Sequence, residues 1–300
     1  MSEPPVPSSD LALDRSLLRR LESLAIAARK KGSGHEHGER SSSRAGSGIA
    51  FAGHRAYAPG DDLRFLDWQV FARSDRLYVK QYEEERDLSV HLLLDCSGSM
   101  AAGDGEKFRY AKQLAAALGY IALSNLDRVS VQPYAEQPRA RLSPLRGRSR
   151  ALVLLRYLSA LHADGATDLP RAARAVCAHE SRGGVALVLS DGFASDGVLE
   201  GVDQLRYGRL TPVVLLITDP RDAEPQLHGE VTLVDRESGR ERTLLITERT
   251  LARYREHYHE HMRGLLHALS TRRVTALALS VRTPFERTVL ELLRRGGVVS

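Results

Sequence analysis

A chain of 300 residues, 42% hydrophobic and 27% charged, can bury one large core or two small ones. The net charge of +5 comes without the aromatic interleaving of a nucleic-acid surface, the two cysteines make neither a disulfide framework nor a zinc site, and no apolar run reaches membrane-spanning length. With no basic-then-apolar leader in MSEPPVPSSDLALD, a cytoplasmic protein is the expectation. Residues 1–9 are rich in Pro and Ser and predict disorder. From Asp10 to Lys31 leucines recur at helical spacing until Gly32, and a Gly/Ser-rich loop containing His35 and His37 carries the chain to about residue 45. Residues 46–87 read as short strands and turns, with Pro59 and Gly60 in one turn.

At Leu88 the character changes. LSVHLLLD is nearly continuous in apolar side chains, as in a strand buried on both faces of a parallel sheet. A helix follows from Gly105 to Asn125, on the spacing of Phe108, Ala111, Leu114, Leu118 and Ile121. A hairpin (VSVQPYAEQPRARLSPL) and two helices (SRALVLLRYLSALHA, LPRAARAVCAHES) come next, and the arginines between residues 139 and 156 predict a solvated basic face. GVALVLSD and TPVVLLITD are further buried strands, and VTALALSV is a fourth. Between these last two lie a hairpin insertion near 229–247, turning at Ser238 and Gly239, and a helix from about Glu248 to Leu269. PFERTVLELLRR closes a domain spanning 88–297. Strands alternating with helices predict an α/β fold, a doubly wound and mostly parallel sheet flanked by helices.

Ligands of such sheets sit beyond the carboxyl ends of the strands. There LLLDCSGSM sets Asp95, Ser97 and Ser99 in alternation, GATDLPRAA sets Thr167 before a helix, and VLSDGF sets Asp191 at the next strand end. Each alone is explained as a turn or helix cap. Together they make an all-oxygen set on three loops, suited to Mg2+, with Mn2+ and Ca2+ as alternatives. In this reading Ser97 and Ser99 coordinate directly and Thr167 directly or through water. Asp95, on the solvent side of the sheet edge, and Asp191 supply negative charge, and an open position attracts a carboxylate from a partner. The pattern D-x-S-x-S…T…D resembles the metal-ion-dependent adhesion site of von Willebrand factor A domains.

The lead-in extends the likeness. YAPGDDLRFLDW…AR, with Tyr57, Pro59, Gly60, Asp61, Asp62, Arg64, Asp67, Trp68, Ala72 and Arg73, resembles the signature of the bacterial family called domain of unknown function 58. LITDPRDAEP and LVDRESG fit it too, so the resemblance covers about residues 46–295. It implies a von Willebrand factor A-like domain preceded by a β-rich lead-in, and a MoxR-type AAA+ ATPase as partner. Asp61, Asp62, Arg64, Asp67 and Arg73 surround the only tryptophan and form a candidate docking surface. The plainer account packs Trp68 into the sheet edge while the charges pair and cap turns.

Two functions compete. The first is a non-catalytic, metal-dependent adaptor recognising an acidic-residue-bearing protein ligand, in chaperone-like assembly or maturation of complexes. The second is a Mg2+-dependent phosphohydrolase with Asp95 as nucleophile; against it, Ser97 stands where a second aspartate is needed. No phosphate loop of the form G-x-x-x-x-G-K-[ST] and no G-x-S-x-G elbow are present. His257 and His261, four apart on one helix, read as a solvated pair rather than zinc ligands.

Overall fold

The computed structural model describes residues 19–25, 50–83, 88–136, 139–180, 183–237 and 239–294. The expected N-terminal tail, most of the first helix, the Gly/Ser-rich loop and Ser238 lie outside the described residues. By its contacts the chain divides into residues 30–87 and the remainder.

In the smaller unit β1 (Ala50–Ala56) pairs antiparallel with β2 (Tyr78–Glu83). Between them lie a 3-10 turn, Leu63–Phe65, and a helix the sequence reading did not contain, α1 (Trp68–Ser74). Asp67 starts that helix: its carboxylate accepts from the amides of Gln69 and Val70. The same carboxylate is 2.8 Å from His54 Nε2 and 3.6 Å from Lys80 Nζ. The His54 contact foremost, then the two amides and Lys80, hold Asp67 down at about 2 despite the opposing effect of burial. Asp62 caps the 3-10 turn and is clasped by Arg64, and Asp61 takes Arg55 at 2.7 Å. Leu66 and Val79 are buried, but Trp68 is 61% exposed and meets Phe71 edge-on at 6.2 Å. Packing of Trp68 into a sheet edge is therefore wrong: the helix begun at Asp67 turns the indole outward.

The larger unit is built on β3 (Ser89–Asp95), β4 (Arg128–Tyr134), β5 (Leu142–Arg146), β6 (Gly184–Ser190), β7 (Leu210–Thr218) and, after the β8–β9 hairpin (Gly229–Val234 and Glu241–Ile246), β10 (Thr275–Ser280). Its helices are α2 (Glu106–Ser124), α3 (Ala151–Ala160), α4 (Leu169–His179), α5 (Ser195–Tyr207), α6 (Pro220–Ala223), α7 (Glu248–Thr271) and α8 (Phe285–Arg294). The six-stranded sheet runs β10-β7-β6-β3-β4-β5, parallel except for β5. The fold is thus mixed α/β with a mostly parallel central sheet flanked by helices.

The period-2 alternation of strands explains the layers. Leu92, Leu94, Leu187, Leu189, Leu215 and Ile217 face a core shared with α2, α3 and α8. Leu93, Ala186, Val188, Val214 and Leu216 face the opposite core, shared with α4, α5 and α7. All seven residues of β3 are buried because it lies mid-sheet. VTALALSV is a strand, but an edge one whose residues are half-buried or exposed, since β10 pairs only with β7.

Helix α5 is an addition to the sequence reading. Its glycines carry no helical signal, yet Gly201 is needed: a Cβ there would lie 2.5 Å from Leu169 Cγ, so α4 and α5 pack through the gap it leaves.

Candidate functional site

The site is made where β3 and β6 end side by side. Asp95 Oδ1 accepts the Ser97 amide at 3.0 Å, which folds the chain back over the strand end. The loop is pinned by Cys96 N to Tyr134 O at 2.8 Å and by Gly98 N to Gly165 O at 2.7 Å, so three loops are tied together by backbone. The Ser97 and Ser99 hydroxyls are 3.0 Å apart. Thr167 Oγ1 lies 3.3 and 3.4 Å from the two Asp95 oxygens, and Ser190 Oγ donates to Asp95 Oδ2 at 2.7 Å. Asp168 caps α4, its carboxylate accepting the Arg171 amide at 2.9 Å.

Asp95 is 1% exposed, so its expected position on the solvent side of the sheet edge is overturned. Mid-sheet placement, Tyr134 on one flank and Ser190 on the other account for this. Burial first, and the neighbouring Asp191 charge second, push Asp95 up to about 6.

Asp191 leaves the strand through Gly192, whose φ of +77° makes the sharp departure. Its carboxylate faces a side chain the sequence reading passed over: Lys107 Nζ is 2.9 Å from Asp191 and 2.8 Å from Asp222. The ammonium also lies 4.7 Å from the centre of the Phe193 ring, and Lys107 is 1% exposed. Burial is the strongest influence on Lys107 and pulls its pKa down, but Asp191 and Asp222 together lift it above the ordinary lysine value. One signal was available: Lys107 adjoins Phe108 at the head of the α2 apolar stripe, where a charge needs a partner. The structure therefore joins Asp95, Ser97, Ser99 and Thr167 by short contacts, and ties Asp191 in through its charge on Asp95 and through Lys107.

The donor set was tested against a divalent cation. It contains hydroxyls and carboxylates but no thiol or imidazole, which is the chemistry of Mg2+. Two oxygens sharing an octahedral ion at about 2.1 Å stand about 3 Å apart, as the Ser97 and Ser99 hydroxyls do. Among the described residues no group of three or more His, Cys, Asp or Glu could hold an ion, so the hydroxyls are indispensable. The residues fit. His261 Nε2 instead donates to the Gly192 carbonyl at 2.9 Å, and His257 lies 3.6 Å from Glu260. The histidine pair is thus divided, with His261 half-buried rather than solvated. Among the described residues no helix is long and apolar enough to cross a membrane.

Known proteins resemble this chain at several levels. Uncharacterized protein Rv1480 of Mycobacterium tuberculosis is 30% identical over 233 residues, 75% of this chain and 73% of that protein. Uncharacterized protein YeaD of Bacillus subtilis is 26% identical over 171 residues, 57% of this chain and 40% of its own length. Of solved structures, conserved hypothetical protein BatB from Bacteroides thetaiotaomicron aligns with a TM-score of 0.44 and 14% identity, over 69% of this chain and 98% of its own. The SpRpn10 VWA domain aligns with a TM-score of 0.39 and 10% identity, over 71% and 97% respectively. The family model described as "Protein of unknown function DUF58" matches residues 53–264. With most of its length under that match, the chain belongs to the DUF58 family.

Proposed function

We propose that this chain is a non-catalytic adaptor of the cytoplasm that grips an acidic side chain of a partner protein through a divalent cation, Mg2+ first. The observation that carries the reading is the convergence of two loops at the carboxyl end of the sheet, where the Ser97 and Ser99 hydroxyls stand 3.0 Å apart and Thr167 Oγ1 lies 3.3 and 3.4 Å from the Asp95 oxygens. Ser97, Ser99 and Thr167 would hold the ion, with Asp95 and Asp191 behind them. A bound ion supplies positive charge for the partner's carboxylate. Lys107 holds the Asp191 carboxylate in place at 2.9 Å, and the buried carboxylate of Asp95 orients Ser190 and Thr167.

A MoxR-type AAA+ ATPase is the partner the family resemblance offers, and it would supply the ATP hydrolysis for which this chain has no phosphate loop. A second contact through the lead-in is supported by Trp68 and Leu63, 61% and 57% exposed, whereas Asp61, Asp62 and Asp67 already have local partners. Arg64, itself paired with Asp62, and Arg73 would form the rim. The phosphohydrolase reading is less well supported, because both Asp95 oxygens accept hydrogen bonds and the group is buried.

Calorimetric titration with Mg2+ and Mn2+ tests the reading, together with capture of the ATPase before and after chelation. Ser99→Ala, which deletes one half-buried hydroxyl, is expected to weaken ion binding about tenfold or more. It should change folding stability by no more than about 0.5 kcal/mol. Equal capture by wild type, Ser99→Ala and chelated protein would sink the adaptor reading. Phosphatase turnover lost in Asp95→Asn would replace it with the hydrolase.

A further inference from the structure

The tip of the β8–β9 hairpin stands against the loop that carries Ser97 and Ser99. A Cβ built on Gly98 would lie 2.6 Å from the Arg236 carbonyl oxygen and 3.3 Å from Arg236 Cβ, so the hairpin backbone rests on that glycine. The tip is shaped from within: the Asp235 side chain accepts the Glu237 amide at 2.9 Å, and Asp235 N donates to the Arg240 carbonyl at 2.8 Å. Gly239, at φ +69°, turns the chain back. Glu237, the next residue after the Arg236 carbonyl that rests on Gly98, comes out of this turn half-buried beside the Ser97–Ser99 loop.

Nothing apolar explains why the tip sits there. Leu233, Val234 and Leu245 are 39%, 53% and 68% exposed, and of the two strands only Ile246 is buried. Charge makes the placement harder still. Asp95, Asp222 and Glu237 all feel the charge of Asp191, and the buried ammonium of Lys107 is spent on Asp191 and Asp222. Like charges brought together under burial disfavour one another, and Asp191 and Asp235 both act on Glu237. An acidic side chain held beside two hydroxyls and two acids is stabilised when a cation stands among them.

We infer that Glu237 is the chain's own occupant of the position a partner's carboxylate would take, so that the hairpin latches the cation site until a partner displaces it. The inference rests on the cation reading above. It makes recognition a competition between two carboxylates, one tethered and one supplied in trans. Tethering raises the local concentration of the internal one, so a partner has to bring further contacts to win.

The test is Mn2+ binding to the full chain, followed by electron paramagnetic resonance of free Mn2+, in chloride buffer with and without added acetate. Wild type is expected to bind Mn2+ with no response to acetate. Glu237→Gln is expected to bind about tenfold more weakly, and acetate, entering the vacated position, is expected to restore the affinity. Amide exchange on the same samples should show residues 229–246 opening faster in Glu237→Gln. No Mn2+ uptake by wild type overturns the cation reading and this inference with it. Equal uptake by both proteins, with acetate affecting both alike, overturns the inference alone.

Discussion

Lys107 puts its ammonium between buried Asp191 and half-buried Asp222, which would otherwise face each other uncompensated. Replacing it with Met keeps most of the packing volume and leaves Asp191 and Asp222 uncompensated. Breaking a buried pair from one side costs about 3–5 kcal/mol, so urea denaturation of Lys107→Met should show a loss of that order. A variant as stable as wild type would mean the ammonium is not the partner the geometry makes it. His91 gives a second residue-level expectation. It lies in β3, 2% exposed, with Nδ1 2.8 Å from Ser130 Oγ. Burial lowers its pKa most, Glu180 works against that, and Arg141 lowers it further. The fold therefore prefers neutral His91, and the unfolded chain binds the extra proton as pH falls below about 6.5. Stability is fully present above that pH and is lost on acidification; His91→Asn should flatten this part of the melting-temperature profile, and an unchanged profile would clear His91. Asp95, Ser97, Ser99 and Asp191 were legible in the sequence because they follow buried strands, and Thr167 because it precedes a helix. Lys107 was not, because its Asp191 partner is 84 residues away and only the folded sheet brings them together.

At the scale of elements, continuous apolar runs such as LSVHLLLD identified the buried strands, since a strand covered on both faces needs no alternation. Of the helices that escaped, α1 and α5 were hidden for different reasons. Helix α1 lies in a stretch dense with aspartates, where Asp67 acts as a cap rather than as part of a charged surface. Helix α5 contains Gly197 and Gly201, which lower intrinsic helix preference by about 1 kcal/mol each relative to Ala. What holds α5 is contact with α4. Gly201→Ala should gain that propensity but press on the base of Leu169, at 2.5 Å from Cγ and 3.2 Å from Cβ. Overpacking costs typically 1–3 kcal/mol, so the net expectation is a loss of about 1 kcal/mol in chemical denaturation. A more stable Gly201→Ala protein would show that the two helices stand further apart than this.

For the whole molecule, an ion held only by the folded state should act as a stabiliser of the fold. Binding at a hundredfold excess over Kd contributes about 2.7 kcal/mol, so saturating Mg2+ should raise the melting temperature, with Ser99→Ala responding less. A melting temperature indifferent to Mg2+, Mn2+ and Ca2+ would sink the cation reading without any knowledge of the partner. The sheet order carries one more consequence. β3 is the first of the six strands to leave the ribosome, yet it lies mid-sheet and pairs on one side with β6, which begins at Gly184, 89 residues beyond Asp95. At synthesis rates of about 5–20 residues per second, a strand destined for complete burial waits roughly 5–20 seconds with one edge bare. That interval invites aggregation or capture by a holding chaperone. Asp191 emerges only after β6 has, so a partner that reads the completed cluster meets β3 already covered by β6 and never its bare edge.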